Sequence, residues 1–397
     1  MLIKNVSLLY GRELEYIQHT NMRISGQIFD KLDASLKPIQ KEEVHDCEGL
    51  LVIPGFVNAH THVGDSIAKD IGIDSGVEEK IHPVMGFKQK ILQNTTPSHL
   101  TSFIRNSCIS MVKKGITTFI DFREGGLEGI NIMQKAVSGL PIRSIILGRM
   151  DYYQDSKLIK KNTSLPNSKK IELSQLLQKC DGLGISGPNE NSDSVLRYYS
   201  QTKKLRAIHS AETIESCKIS KKTTGKTETQ RAMILKPHFL IHMTQASKKD
   251  LLLASRYKTS IVICPRANAS LAEGIPDVNL MIQSRCNVTI GTDNVMINSP
   301  DMFREMDYLW KVSMATQKKR VSPKSILKMV TVNAANMLQN NKLGSIQPNN
   351  LADCIFIDKH EIDLEPMHNP CASIVHRASE TVIRAVMIGG KIIHGKI

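Results

Sequence analysis

The chain of 397 residues lacks the long apolar stretches and the regular cysteine spacing that mark membrane proteins and disulfide-rich domains. No run approaches the roughly 18 apolar residues of a membrane span, and the first residues lead into charged positions without the apolar region of a secretory signal. The eight cysteines form no C-x-x-C pair, which argues against a zinc ribbon and a disulfide framework and favours a reducing compartment. We therefore expect a cytoplasmic protein that does not associate with a membrane.

Aromatic residues are also scarce, at 5% of the chain, and acidic residues are outnumbered by basic ones, 38 against 52. The formal net charge of +14 raises the question of nucleic-acid binding. The lysines, however, occur as scattered doublets such as Lys113-Lys114 and Lys203-Lys204, without interleaved aromatic residues. This distribution is typical of a solvated surface, so nucleic acid is not the expected partner.

A repeating rhythm of short apolar runs and helical segments extends from about residue 50 to residue 340. Eight β-branched runs recur with helical spacing between them, and they are found at 51–57, 116–121, 142–148, 182–186, 205–208, 238–241, 260–264 and 287–292. Eight strands alternating with helices predict an α/β protein built as a (β/α)8 TIM barrel. A doubly wound open sheet is disfavoured because no glycine-rich phosphate fingerprint follows the first run.

The two ends of the chain do not share this rhythm. Both contain strand-like pieces with glycine turns, and neither end alone is long enough to bury a core. We expect residues 1–50 and 345–397 to meet as one small β-sandwich domain, with the barrel occupying 51–344. The interval 63–97 is too long for an ordinary loop and is predicted to be a lid or pocket wall.

Polar residues follow several predicted barrel strands at the same end. His60 and His62 end the first strand, His209 the fifth and His242 the sixth, and Asp293 follows the eighth. Each has a structural alternative, such as a solvated loop histidine, a buried core histidine or a helix-capping aspartate. Because catalytic groups of such barrels come from the carboxyl ends of the strands, their common placement favours one site.

The stretches that carry this pattern are 54–62 (PGFVNAHTH), 209–213 (HSAET), His242, 291–293 (GTD), Asn298, 303–306 (FREM) and 351–356 (LADCIF). Together they resemble the amidohydrolase superfamily, in particular its branch of cytosine, guanine and adenosine-derivative deaminases, which also contains triazine chlorohydrolases. The resemblance spans essentially the whole chain. It implies a metal-dependent hydrolase that acts on carbon–nitrogen bonds other than peptide bonds, with a small molecule as substrate and a homo-oligomer as a plausible assembly.

The residue types agree with that chemistry. Neutral imidazoles of His60, His62 and His209 with the carboxylate of Asp293 suit one divalent metal ion, with Zn²⁺ favoured and Fe²⁺ as the alternative. Metal-bound hydroxide would attack a ring carbon, and Glu212 fits the proton shuttle. By resemblance, His242 assists catalysis beside Asp293, although it could instead be a fourth nitrogen ligand.

The absence of a lysine after the fourth predicted strand indicates the number of metal ions. Two-metal members of the superfamily usually bridge their ions with a carboxylated lysine after the fourth strand, and residues 181–199 contain no lysine. We therefore expect a single ion, with Glu190 as the alternative bridging carboxylate.

The substrate is less clearly indicated. Asn189 stands where deaminases of adenosine derivatives carry a substrate-contacting histidine. Arg123, Arg149 and Arg266 follow the second, third and seventh strands, and guanidinium groups bind carboxylate or phosphate. These four residues are the predicted substrate-binding set, which favours an amino-substituted purine, pyrimidine or related heterocycle that bears an anionic group. The arginines could instead pair with rim carboxylates such as Glu124.

Three functions stay open at this point. Deamination is favoured, and the same site could instead open a cyclic amide or displace chloride, because the leaving group is not written in these motifs. A non-catalytic metal-binding or nucleic-acid-binding protein is the third alternative, and the presence of Glu212 and His242 beside the ligands argues against it.

Overall fold

A barrel of parallel strands forms the centre of the molecule, and a separate sheet is built from the chain ends. The computed structural model describes residues 1–81 and 86–397. The strands are β1 Leu2–Tyr10, β2 Glu15–Ser25, β3 Ile28–Leu32, β4 Val44–Asp46, β5 Leu50–Pro54, β6 Phe56–His62, β7 Ile116–Arg123, β8 Arg143–Gly148, β9 Gly182–Ile185, β10 Leu205–Ser210, β11 Phe239–His242, β12 Ser260–Ile263, β13 Val288–Ile290, β14 Asp293–Asn294, β15 Cys354–Asp358, β16 Ile383–Ile388 and β17 Lys391–Gly395.

Helices alternate with the barrel strands and cover them from outside. They are α1 Val77–Ile81, α2 Phe87–Asn94, α3 Pro97–Lys113, α4 Gly126–Val137, α5 Ser156–Lys160, α6 Asn167–Lys179, α7 Asp193–Tyr199, α8 Ile214–Thr224, α9 Glu228–Ala232, α10 Lys248–Arg256, α11 Pro265–Ser270, α12 Val278–Gln283, α13 Met302–Gln317, α14 Pro323–Met329, α15 Val332–Met337 and α16 Pro370–His376. Short 3₁₀ turns occupy Val63–Ala68, Pro188–Glu190, Met233–Leu235 and Glu380–Val382. Within the described ranges, no helix is long and apolar enough to cross a bilayer.

Parallel pairing runs around the barrel without a break in strand order. The strands follow one another in chain order from β6 to β13, and β14, two residues beyond β13, pairs with β6 and closes the ring. At the seam, the Asn58 side chain donates to Thr292 Oγ1 at 2.7 Å and accepts from the Thr292 amide at 3.0 Å. The predicted (β/α)8 barrel is confirmed.

The chain ends form a second sheet, as predicted. Its order is β17-β16-β15-β5-β1-β2-β3, with β4 beside β1. The apolar run at 51–57 is not one strand, because Leu50–Pro54 pairs with β1 and β15, whereas Phe56–His62 enters the barrel. The change of sheet occurs at Gly55, where a Cβ would lie 2.4 Å from Thr117. We therefore propose Gly55, rather than residue 50, as the first boundary between the β-domain and the barrel.

The interval 63–97 leaves the barrel after β6 and returns at α3. It contains a 3₁₀ turn, α1 and α2, and part of the predicted lid, residues 82–85, lies outside the described residues. Ile81 and Lys88 reach the cavity above the barrel, so the described part of this interval contributes to a pocket wall.

Candidate active site

Three imidazoles and one carboxylate meet at the carboxyl end of the barrel. His60 and His62 lie within β6, His209 lies in β10, and Asp293 begins β14. His60 Nε2 is 3.2 Å from Asp293 Oδ1, and His62 Nε2 is 3.6 Å from the same oxygen. One ligand atom from each of the three histidines falls within 4.8 Å of the other two. The structure thus brings together the four residues that the sequence predicts as ligands.

The donor set fits a divalent cation. His60 and Asp293 are at most 1% exposed, yet within the described part of the chain both ring nitrogens of His60 and Oδ2 of Asp293 lack a hydrogen-bond partner. Buried polar atoms are normally paired, so such atoms facing one another fit a site that binds a cation. Burial lowers the pKa of His60 to about 3 and that of His209 well below the usual value, which keeps both imidazoles in the neutral form that binds metal.

Hydrogen bonds to Nδ1 fix which nitrogen of two histidines is available. His62 Nδ1 is 2.8 Å from Glu124 Oε1, and His209 Nδ1 donates to the Ile185 carbonyl at 3.0 Å. Burial raises the pKa of Glu124, but Lys88, His62 and Arg123 outweigh it and hold this pKa well below the usual value. An ionised carboxylate and a carbonyl both accept, so each Nδ1 carries the proton and the lone pair of each Nε2 would be available to a cation.

His242 has the opposite arrangement. The Asn268 amide nitrogen lies 3.0 Å from His242 Nδ1 and donates to Glu273 Oε2 at 2.6 Å. With this amide orientation Nδ1 accepts, so the proton of neutral His242 is on Nε2, which lies 3.1 Å from Glu212 Oε1. A protonated Nε2 can hold an oxygen by donating to it but cannot coordinate a metal, which favours the assisting role over that of a fourth ligand.

Backbone conformation sets the direction of these side chains. Ala211, His242 and Asp293 have φ values of 51°, 70° and 62°, in the left-handed region that residues other than glycine rarely adopt. Ala211 directly follows β10, His242 ends β11 and Asp293 begins β14, so each is next to or within the set of converging groups. Such strain persists only where the surroundings hold it, and it commonly accompanies functional sites.

A cavity of about 130 Å³ opens above the four residues. Its described lining is polar, with Ile81 as the one aliphatic side chain larger than alanine and with no ring other than imidazole. The lining residues are His62, Ile81, Lys88, Arg149, Ser186, Gly187, Asn189, Glu190, His209, Ser210, Glu212, Thr213, Ser216, Glu228, His242, Asp293 and Asn294.

Two of the four predicted substrate-binding residues line this cavity. Arg149 is 7% exposed, and its Nε has no hydrogen-bond partner among the described residues. Burial opposes its charge, but Tyr153 and nearby carboxylates, Glu124 first among them, raise the pKa of Arg149. Asn189 donates to the Ser216 carbonyl at 2.9 Å, and its Oδ1 is left without a partner in the described chain. Both side chains therefore offer unused polar atoms close to the ligand cluster.

The other two arginines are engaged elsewhere. Arg123 Nη2 lies 2.6 Å from Glu124 Oε2, and the guanidinium packs so tightly on Gly64 that a Cβ there would be 1.8 Å away. Arg123 lines a neighbouring cavity of about 370 Å³ instead. Arg266 Nη1 lies 3.4 Å from Glu305 Oε1, and Nη2 donates to Asn298 Oδ1 at 3.2 Å. Arg123 and Arg266 therefore pair with carboxylates, which is the alternative to substrate binding that the sequence left open.

Sequence reasoning missed several groups around the site because they lie away from strand ends. Lys88 comes from α2, and Glu228 begins α9. Glu228 Oε2 accepts from the Ala211 amide at 3.1 Å and from Ser216 Oγ at 2.7 Å, so it holds the loop that carries Glu212. Burial raises the pKa of Glu228 to about 7 and that of Glu273 to about 9. No spacing pattern in the sequence identifies these residues.

Comparison with known proteins gives a family model, two relatives and a solved structure that match most or nearly all of the chain. A model described as the Amidohydrolase family matches residues 51–393. A protein of Methanothermobacter thermautotrophicus named "Putative aminohydrolase" is 34% identical over 397 residues, covering 99% of each chain. The 5-methylthioadenosine/S-adenosylhomocysteine deaminase of Thermoanaerobacter pseudethanolicus is 27% identical, covering 99% of this chain and 93% of its own. A crystal structure of the zinc complex of atrazine chlorohydrolase from Arthrobacter aurescens superposes with a TM-score of 0.83 at 15% identity, covering 99% of this chain and 95% of its own.

Metal content tests the cluster directly. Metal-free protein titrated with zinc is expected to bind one equivalent per chain, and His60→Ala is expected to lose tight binding because it removes a buried nitrogen at the centre of the cluster. At zinc a hundredfold above Kd, binding should stabilise the parent by about 2.7 kcal/mol. Elemental analysis and thermal unfolding measure both effects, with exposed His99→Ala as the control. Two tight equivalents per chain would contradict a mononuclear site.

The raised pKa of Glu228 gives a pH prediction for stability. The native state holds this proton up to about pH 7, whereas an unfolded glutamate releases it near 4.5. Between these values the native state binds more protons, so Glu228 contributes less stability as pH rises, by at most about 1.4 kcal/mol per unit. Urea unfolding of the parent and Glu228→Gln at pH 5, 6, 7 and 8 should show the variant gaining relative stability up to about pH 7. A pH-independent difference between the two proteins would refute the shift.

Proposed function

Because this chain belongs to the amidohydrolase family, we propose that it is a metal-dependent deaminase of an amino-substituted nitrogen heterocycle. The observation that carries the proposal is the juxtaposition of two sets of groups on one cavity. His60, His62, His209 and Asp293 are the proposed cation-binding set. Beside them, His242 Nε2 lies 3.1 Å from Glu212 Oε1. A protein that only stores or binds metal has no need of that second pair. The resemblance to a deaminase over nearly the whole chain supports the same reaction.

The reaction replaces an amino group on a ring carbon by the oxygen of water. A divalent cation held by His60, His62, His209 and Asp293 would lower the pKa of water and so supply hydroxide near neutral pH. Glu212 takes a proton from water and transfers it to the ring nitrogen. It then takes the second proton from the hydroxyl group added to the ring carbon and gives it to the amine, so that the C–N bond breaks, ammonia leaves and the carbonyl forms. His242, protonated on Nε2, donates to the oxygen that adds to the carbon. Asn268 keeps His242 in this tautomer from the side away from the cavity.

We propose a single ion, with zinc as the resident metal. Glu190 lines the cavity, but among the described residues no group of metal-ligating atoms includes it. Three nitrogen donors and one carboxylate suit zinc, and ferrous iron shares this preference. The zinc complex of atrazine chlorohydrolase, which has the same fold, is consistent with this choice.

The cavity favours a polar substrate. Its described lining contains one aliphatic side chain, so few apolar groups are available to contact a large apolar substituent. Arg149 contributes a buried guanidinium whose Nε has no partner among described residues, and a carboxylate or phosphate on the substrate would satisfy it. Asn189 Oδ1 offers an acceptor for a ring N–H. We assign substrate binding to Arg149 and Asn189. We assign a supporting role to the other two arginines, Arg123 for Glu124 and Arg266 for Glu305.

A product screen tests the reaction. Zinc-loaded enzyme should release ammonia from at least one member of a panel of aminopurines, aminopyrimidines, their nucleosides and carboxylated or phosphorylated derivatives. Glu212→Gln should lower the rate by about 10²- to 10⁴-fold, because it removes the proton shuttle. Bound zinc measured in the same samples separates this loss from loss of the metal.

The outcomes of the screen discriminate between the hydrolytic reactions. Chloride release from chlorinated heterocycles, or ring opening of cyclic amides without ammonia, would replace deamination by the corresponding hydrolysis on the same site. If zinc is bound and no compound releases ammonia, releases chloride or undergoes ring opening, an enzymatic role for the Glu212–His242 pair is contradicted.

Replacement of Arg149 tests whether this residue binds an anionic group on the substrate. Arg149→Met should raise KM for the anionic substrate by about 10- to 100-fold, since a charged hydrogen bond contributes about 1.5–3 kcal/mol. The KM of a neutral analogue should change little. Arg304→Met removes a guanidinium whose side chain is 66% exposed and serves as the matched control. Equal effects on anionic and neutral compounds would exclude a charge-specific contact at Arg149.

A further inference from the structure

A buried lysine joins the helix over the cavity to the carboxylate that orients His62. Lys88, the second residue of α2, is 5% exposed, and its Nζ lies 2.5 Å from Glu124 Oε1. The same oxygen lies 2.8 Å from His62 Nδ1. A cation on a helix outside the barrel therefore shares one oxygen with a predicted metal ligand. Neither the family chemistry described above nor the proton shuttle uses this lysine.

The same lysine also approaches a second carboxylate. Lys88 Nζ is 3.5 Å from Asp65 Oδ2, and that oxygen accepts a hydrogen bond from the Asn294 side chain at 2.7 Å. Asp65 Oδ1 accepts from the Met296 amide at 3.1 Å. Asp65 thus holds the segment immediately after Asp293. Two of the four predicted ligands are positioned by carboxylates that meet at Lys88.

Burial makes this arrangement energetically consequential. Lys88, Glu124 and Asp65 are each at most 5% exposed, so solvent does not screen their charges as it does on a surface. Removing one member leaves the other charges buried and less well compensated. The position of α2, the geometry of His62 and that of the segment after Asp293 consequently depend on one another.

We propose that Lys88 and Glu124 are positioning residues that couple the metal site to α2, so that metal binding and ordering of this helix stabilise each other. The inference rests on the ligand set assigned in the proposed function. Glu124 keeps His62 in the tautomer and ring orientation that present Nε2 to the cation, and Lys88 anchors α2 to that carboxylate. Thermodynamic linkage makes the effect reciprocal: whatever the cation adds to the stability of α2, a firmly anchored α2 adds to cation affinity.

Zinc affinity and hydrogen exchange together test the coupling. Competition with a chelator should show zinc binding weakened by about 10- to 100-fold in Glu124→Gln and by about 5-fold or more in Lys88→Met. In the parent, zinc should slow amide exchange in 87–94. In Lys88→Met this zinc-dependent protection should disappear, and Lys88→Arg, which keeps the charge, should restore part of it.

Exposed neighbours supply the controls. Lys90→Met changes a lysine on the same helix, and Glu128→Gln changes a glutamate in the first turn of α4. Both residues are exposed. Neither variant should alter zinc affinity or the protection of α2. Circular dichroism of the metal-free proteins tests whether each variant is folded. If Glu124→Gln is not folded, the comparison of Lys88→Met with Lys88→Arg tests the coupling instead.

Two patterns of failure are distinguishable. If His60→Ala loses zinc but Glu124→Gln and Lys88→Met bind it like the parent, the coupling is wrong and the ligand set stands. If zinc affinity is unchanged in all three variants, the assigned ligand set is wrong and the coupling fails with it. Weakened zinc binding in Lys88→Met with undiminished zinc-dependent protection of α2 would also overturn the coupling.

Discussion

The polar end of β6 is buried, and most of the site follows from this constraint. His60 and His62 are at most 4% exposed, so their ring nitrogens exchange water for protein partners or for a cation. The barrel meets this requirement by placing polar groups of neighbouring strands against β6. Asp121 accepts from the Val63 amide at 2.7 Å, Glu124 holds His62, and Asp293 faces both histidines across the seam. Without these partners, burial of this segment would be strongly unfavourable.

Closure of the barrel is what brings Asp293 to the histidines. After β13, the residues Gly291 and Thr292 carry the chain past His60, and a Cβ on Gly291 would lie 2.7 Å from His60 Cβ and from its backbone nitrogen. Asn58 fixes the same crossing by its paired hydrogen bonds with Thr292. The left-handed backbone of Asp293 then turns its carboxylate inward. The eighth strand therefore serves both the architecture and the chemistry, which explains why strained residues are tolerated there.

Burial divides the carboxyl groups near the cavity into two classes. Glu124 stays ionised because the nearby cation of Lys88, His62 and the Arg123 guanidinium outweigh burial. Burial is the main cause that raises the pKa of Glu228 to about 7 and that of Glu273 to about 9. Protonated carboxyls act as hydrogen-bond partners without adding negative charge. If Arg149 holds an anionic substrate, as we propose, that substrate meets less repulsion as a result.

The sequence alone determined the alternation of eight strands with helices, the separate character of the chain ends, and the strand ends at which His60, His62, His209, His242 and Asp293 converge. These features follow from local periodicity and from the rule that parallel strands present their carboxyl ends at one edge. Tertiary structure decided the partners of the arginines, because Arg123, Arg149 and Arg266 follow similar strands and differ only in what packs against them. It also decided the roles of Lys88, Glu228 and Glu273, which come from helices and loops whose distance from the site in the folded chain no spacing records. An ionisable side chain can be paired, protonated or available to a ligand, depending on its burial and on neighbours distant in sequence. Both the burial and these neighbours exist only once the barrel has closed.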